Sequence, residues 1–425
     1  MKSGVIRLRG HGTNLCVLAI INLCVLCACA TANTAVMPAP AAPSRDYYVF
    51  VASEAVDEIS LIRFGPDGAR IERKHETGLN RAEPDGPHGL ALAPGGRHYY
   101  VTNGHGTPYG SLWKYDANTS EVLGRVELGL FPASMQVSPD GLYIYVVNFN
   151  LHGDMVPSSV SIVAANEMLE VARLETCTMP HGSRFNPQGT KHYSTCMMDE
   201  MLVEIDATQF EESRHFVLSK GSEHGMTGKP RHGDHGAMKA QSDANTKCSP
   251  TWAASSSDGS RVYVACNAAN DIVEIDAGKW TLLRRIPAGN GVYNLATTRN
   301  GKLLIGTNKR GQSVSIINIA DGRELARIAT LRPVVHGIAI SDDDRYAFIS
   351  VEGYGSEPGT VEIIDLDALV RVASVDVGQM AGGIDFWKSE PYFARLGVIG
   401  RPARTRAMRC STASYWSSIR SSPNF

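Results

Sequence analysis

Charge of one sign is what this 425-residue chain lacks. Lys plus Arg number 41 and Asp plus Glu 43, a net charge of −2 with histidine neutral. No field of that size draws nucleic acid or an anionic membrane surface. Charged residues make up only 20%, too few for the polar faces of a helical bundle, and 41 glycines suit a turn-rich all-β chain. No Cys-x-x-Cys-His occurs, which removes covalent c-type haem attachment. Leu15 to Leu26 is an apolar run of about twelve residues, short of the roughly twenty that a membrane helix needs.

That short run has the flanks of a targeting segment. Lys2, Arg7 and Arg9 precede it, and small residues follow in Ala28-Cys29-Ala30-Thr31-Ala32. Leu26-Cys27-Ala28-Cys29 resembles a bacterial lipobox with Cys29 as the lipidated residue. Cleavage after Ala30 or Ala32 and an uncleaved anchor are the alternatives. All three put the mature chain outside the cytoplasm, in the periplasm or at the cell surface, and leave the membrane touched only through an anchor. Residues 1–30 are thus the signal segment, and the Ala- and Pro-rich residues 31–45 a flexible tether. The mature part keeps Cys177, Cys196, Cys248, Cys266 and Cys410 in an oxidising compartment that permits disulfides.

Self-similarity dominates residues 46–388. One unit is an apolar strand, a turn, a second strand ending near Asn, a loop, a third strand ending near Asp, and a fourth strand. PHGLALAPGG, RHYYVTN, SLWKYD and VLGRVEL at 87–128 are followed by PASMQVSPDG, LYIYVVN, SVSIVAA and LEVARLE. Four more units follow. Four short strands repeating every 40 to 48 residues or so is a propeller period. Residues 46–76 supply only three strands, and Gly382 to Trp387 supply the missing innermost one. Pairing the two ends closes seven blades and leaves no long edge. The chain is therefore expected to be an all-β, seven-bladed β-propeller and a monomer. Residues 221–247 interrupt the step from blade four to blade five. The tail, 389–425, has no strand alternation and reads as disordered or as a shifted reading frame.

YYVTN at 99–103, SPDG at 138–141 and the recurring VEID or IIDLD resemble the YVTN family of propeller repeats. The resemblance covers the whole ring. It implies a surface or periplasmic protein that binds a ligand or partner more often than one that catalyses.

Innermost strands line the channel, and the loops entering them open on one face together with the loops between strands two and three. His88, His181 and His336 occupy one slot at the entry to the innermost strands of blades two, four and seven. Ala133, Thr251, Tyr293 and Gly382 match them elsewhere. His105 and His152 fall in second-to-third-strand loops on the same face. The insertion adds His224, Met226, His232, His235 and Met238. Imidazoles with thioethers suit copper, and imidazoles alone suit zinc or copper. Taken singly, each histidine is equally explained by hydrogen bonding to nearby backbone.

The ring of histidines also resembles in architecture the copper-cluster domain of nitrous oxide reductase, though no second copper domain follows. Propeller lactonases show Pro-His at strand entries too. On that alternative His181, Arg184 and Glu352 are the catalytic candidates. Equivalent slots in adjacent blades point to disulfides Cys177–Cys248 and Cys196–Cys266, with Cys196-Met197-Met198 as soft metal ligands the alternative.

Overall fold

The computed structural model describes residues 40–79, 83–105, 109–229 and 247–392. These form seven antiparallel sheets arranged as a seven-bladed propeller, and the only helical element among them is the 3-10 turn Glu54–Val56. Each blade is a meander running outward from the axis. The sheet that closes the ring has the strand order Ala381–Pro391, Arg45–Ser53, Glu58–Gly65, Gly68–Glu76. The closing strand runs on to Pro391, beyond the expected boundary at 388. Second and third strands are buried on both faces, because neighbouring blades pack against each side. Outer strands alternate between exposed and half-buried, as in Gly68–Glu76.

A one-residue bulge near the start of the innermost strand recurs in every blade. In blade two, Pro87 pairs with Asn103 and Leu90 with Val101, three steps on one strand against two on its partner. Blades three, four, six and seven repeat this offset. The bulged pair is His88-Gly89 in blade two and His181-Gly182 in blade four. A bulge turns a side chain out of the alternation and leaves a backbone N–H without a ladder partner.

The threonine of YVTN answers that orphan donor. Thr102 Oγ1 accepts from Gly89 N at 2.8 Å and donates to Ala133 O of the next blade at 2.7 Å. Thr195, Thr307 and Ser350 repeat the relay to Thr251 O, His336 O and Gly382 O. Blades three and five have Val147 and Ala265 in this place, and Ser134 and Thr251 supply the hydroxyl from the innermost strand instead. In four blades one hydroxyl thus both satisfies the bulge and ties blade to blade, and in blades three and five it supplies the tie alone.

Each disulfide ties the segment that enters a blade to the end of that blade's second strand: Cys177, at the end of the outer strand of blade three, bonds Cys196 of blade four, and Cys248 bonds Cys266 of blade five, with Cα–Cα distances of 5.8 and 4.4 Å. The expected pairings Cys177–Cys248 and Cys196–Cys266, between equivalent slots, are not formed. Equivalent positions in neighbouring sheets stand about 10 Å apart, whereas a disulfide needs roughly 4.4–6.8 Å. Cys196 and Cys266 replace the asparagine of YVTN. In blade three that asparagine reaches back to the connection entering its blade, Asn148 Oδ1 accepting from Gly129 N at 3.1 Å. The disulfides are covalent versions of the same staple. With sequence separations of 19 and 18, each contributes about 3 kcal/mol by loop closure. Replacing Cys177 and Cys196 with Ser should cost that much in urea unfolding, and Cys177→Gly with Cys196→Asn should recover part of it. A non-reducing peptide map showing Cys177 linked to Cys248 would overturn the assignment.

The described part of the insertion contains one strand. His224–Thr227 adds a fifth, outermost strand to blade four. His232, His235 and Met238 lie outside the described residues, as do Cys29, residues 1–39 and the tail from 393.

Candidate functional site

The slot-two side chains meet at the upper mouth of the channel, the end where innermost strands begin. The rings of His88 and His336 stand 5.6 Å apart, and those of His181 and His336 pack on either side of Tyr293 at 5.2 and 5.0 Å. His105 and His152 join from the loops, with ring centroids 5.4 Å apart, and both pack on Phe131 together with His88. His224 and Met226 do not join. They sit four strands out from the channel.

Two charged clusters organise this mouth. Glu54, buried in the 3-10 turn of blade one, receives His88 Nδ1 at 2.6 Å and His105 Nε2 at 2.8 Å. Burial alone would push the Glu54 carboxyl up, but the charge of His88 and hydrogen bonds from both histidines hold it well below the usual carboxylate range. The Glu54 hydrogen bond raises the pKa of His105 against the effect of burial. On the other side Lys309 Nζ donates to Glu352 Oε1 at 2.9 Å and lies 4.4 Å from the centre of the Tyr293 ring. Burial disfavours the Lys309 charge, yet Tyr293 and Glu352 raise its pKa overall. His336 Nε2 lies 3.3 Å from Tyr293 Oη and 3.9 Å from Glu352.

His181 is fully committed. Its Nδ1 bonds Thr251 O and its Nε2 bonds Tyr293 Oη, both at 2.8 Å, and burial lowers its pKa to about 3. It is neutral at physiological pH, with no nitrogen left to take a proton from a substrate. Arg184 makes no contact with Glu352 among the described residues. It lies deeper, stacked 5.1 Å from the Trp252 ring. The catalytic candidates therefore split between two levels of the channel. Among the described residues no group of three or more His, Cys, Asp or Glu is arranged to hold a metal ion. The imidazoles converge, but their nitrogens turn to different partners.

Glu54, Lys309 and Tyr293 carry the mouth as much as the histidines do, and histidine counting passes over them. Their signal is again positional. Glu54, Lys309 and Glu352 each stand directly after a second strand, so aligning that slot across blades exposes two acids and one base on the same face.

No family model and no curated protein matches this chain. Solved structures do. Hydrazine synthase from Kuenenia stuttgartiensis aligns at 21% identity and TM-score 0.54, over 71% of this chain and 91% of the matched one. The periplasmic gluconolactonase of Pseudomonas aeruginosa aligns at 18% and 0.61, over 80% and 99%. A putative 6-phosphogluconolactonase from Bacteroides uniformis aligns at 14% and 0.59, over 80% and 99%. At these identities the likeness is one of propeller fold, and this chain shares that fold with proteins of different activities.

Proposed function

We propose that this chain is an exported propeller that binds a partner protein across its upper mouth. The observation that carries the reading is the distribution of exposed large apolar side chains. Nineteen are exposed among the described residues. Ten of them stand on upper-face loops: Val56, Leu79, Tyr109, Leu130 and Leu151, then Met155, Val156, Leu331, Tyr354 and Met380. All ten belong to blades one, two, three and seven or to the connections entering them. The upper loops of blades four to six contribute none among the described residues. An apolar arc around a charged, aromatic centre has the composition of a protein interface rather than of a bare surface.

Changing Leu151, Met155 and Tyr354 to Ser should weaken capture of that partner from a periplasmic extract by tenfold or more, as loss of interface anchors does. Changing Leu282 and Leu283, on an outer strand, should leave it intact. Equal capture by both variants would sink the reading. Fractionation of cells that express the full chain tests export. No helix of the described residues is long and apolar enough to cross a membrane.

A second reading rests on the Lys309–Glu352 pair beside Tyr293, which could serve acid–base chemistry such as lactone hydrolysis. It moves the base from His181 to Glu352. Turnover of glucono-lactone that Glu352→Gln abolishes would favour it. A copper or zinc ion at the mouth would need His88 Nε2, His105 Nδ1 and His152, which make no hydrogen bonds among the described residues. Metal analysis of untagged protein, with His105→Ala beside it, tests that extension.

A further inference from the structure

The lower face carries a different kind of site. A pocket of about 450 Å³ opens there between the innermost strands of blades four, five and six, within the roughly 300–1,000 Å³ of ordinary ligand clefts. Slot five of those strands sets its shape. Four blades place Ala91, Ala254, Ala296 and Ala339 there, and the room they leave takes the long side chain of Arg184. Arg184 stands where this pocket meets a smaller mid-channel cavity. It lies deep in the ring yet keeps part of its surface open, because that surface faces the channel.

Its hydrogen bonding is unfinished. A guanidinium has five N–H donors. Among the described residues Arg184 uses one, from Nη1 to Ser183 O at 2.9 Å. The buried acid that shares its slot, Asp385, is occupied by Leu92 N and Phe386 N, both at 2.8 Å, and makes no hydrogen bond to Arg184. Above it, Trp252 Nε1, Asn294 Oδ1 and His336 Nδ1 are buried without a partner, and all three residues line the mid-channel cavity. Buried polar groups left this way are costly unless a ligand or water meets them. The pocket wall contains no Asp or Glu. Arg299 adds a second positive charge at the exposed rim, and Ser255, Ser257 and Thr297 add hydroxyls.

We propose that this lower vestibule binds a small organic carboxylate, whose two oxygens pair with the free fork of Arg184. A single guanidinium matches the planar pair of carboxylate oxygens and balances one negative charge. The vestibule beyond it has room for the rest of a small molecule. This site lies at the opposite end of the channel from the partner surface, so the two stand or fall separately.

Trp252, stacked on Arg184, is the reporter. Titration of the full-length protein with sodium lactate, at constant ionic strength, should give a saturable change in tryptophan fluorescence and matching heat in calorimetry. Arg184→Met should weaken binding at least tenfold, and Arg184→Lys should restore only part, because an ammonium lacks the fork. Trp252→Phe should remove the optical signal and leave the heat. Arg299→Ala, at an exposed position that does not threaten folding, should weaken binding severalfold. The Leu151, Met155 and Tyr354 variant should bind lactate normally. Absence of saturable lactate binding would overturn the proposal, as would binding unchanged by both arginine variants. Tighter binding of inorganic phosphate or chloride than of lactate would overturn the carboxylate assignment.

Discussion

A chain that stops at Met380 should not fold into a ring, whereas one that stops at Tyr392 should. The first truncation removes the innermost strand of blade one and with it the whole register from Arg45–Pro391 to Ser53–Ala381. Three inter-blade ties go as well: Ser350 Oγ to Gly382 O at 2.5 Å, Leu92 N to Asp385 Oδ2 at 2.8 Å and Trp387 Nε1 to Gly96 O at 2.7 Å. Ile384, Phe386 and Trp387 leave two hydrophobic clusters, one on each side of blade one. Burial of those three side chains alone is worth roughly 6 kcal/mol, set against about 5–15 kcal/mol for a typical domain. The loss also leaves a bare edge on the strand Arg45–Ser53, a template for aggregation. Circular dichroism on heating should show a cooperative transition for the longer chain and none for the shorter. Equal melting of the two would mean that the ring closes some other way.

The sequence makes this closure visible because a propeller is a repeat. Three strands at one end and one at the other are a count that fails until the ends are joined. The same periodicity places His88, His181 and His336 in one slot. It does not reveal which side chains those histidines touch, because partners come from blades far apart in sequence. Tyr293 bonds His181 across 112 residues. Glu54 bonds His88 and His105 across 34 and 51. Repeat alignment gives position around the axis, while contact depends on the reach and rotamer of each side chain. The disulfides show the converse failure. Equivalent slots of adjacent blades stand a sheet spacing apart, and the chain entering blade four from the outer strand of blade three brings Cys177 to Cys196 instead. The asparagine of the repeat holds the missing information, since its hydrogen bond marks which loop faces the end of the second strand. Arg184 was legible only as a neighbour of His181. Three residues along a bulged strand carry it past mid-channel, to the inner end of the lower pocket.

Buried neutral histidines should make the fold sensitive to mild acid. Burial lowers the pKa of His181 and of His192 to about 3, and that of His336 well below its ordinary value. His192 packs wholly inside the protein, bonded to Ser183 Oγ at 2.7 Å through Nε2, with Nδ1 unpartnered. In the unfolded chain each imidazole titrates near 6.5. Above that pH both states hold the neutral ring, and the contribution to stability is complete. As pH falls below 6.5 the unfolded chain takes up protons that the folded one refuses, so stability drops until the folded groups titrate near pH 3. At pH 5 the deficit is about 2 kcal/mol for each of His181 and His192, or roughly 4 kcal/mol for the two, with His336 acting in the same direction. His105 opposes this, because its raised pKa makes its contribution complete below 6.5 and lost as pH rises. Glu212 opposes it too, because burial pushes its carboxyl up to about 7, so its contribution is complete below the ordinary carboxylate range and lost as pH rises. Glu54, with its carboxyl held low, adds a further loss once pH drops below the ordinary carboxylate range. The stability lost between pH 7.5 and pH 5.0, measured by urea unfolding, is therefore the difference between these opposing contributions. His192→Gln should shrink that difference by about 2 kcal/mol, because the replacement cannot titrate and sits away from the mouth. A His192→Gln variant with an unchanged pH dependence would mean that protons and water reach this ring freely, and that its orphan nitrogen is hydrated rather than dry.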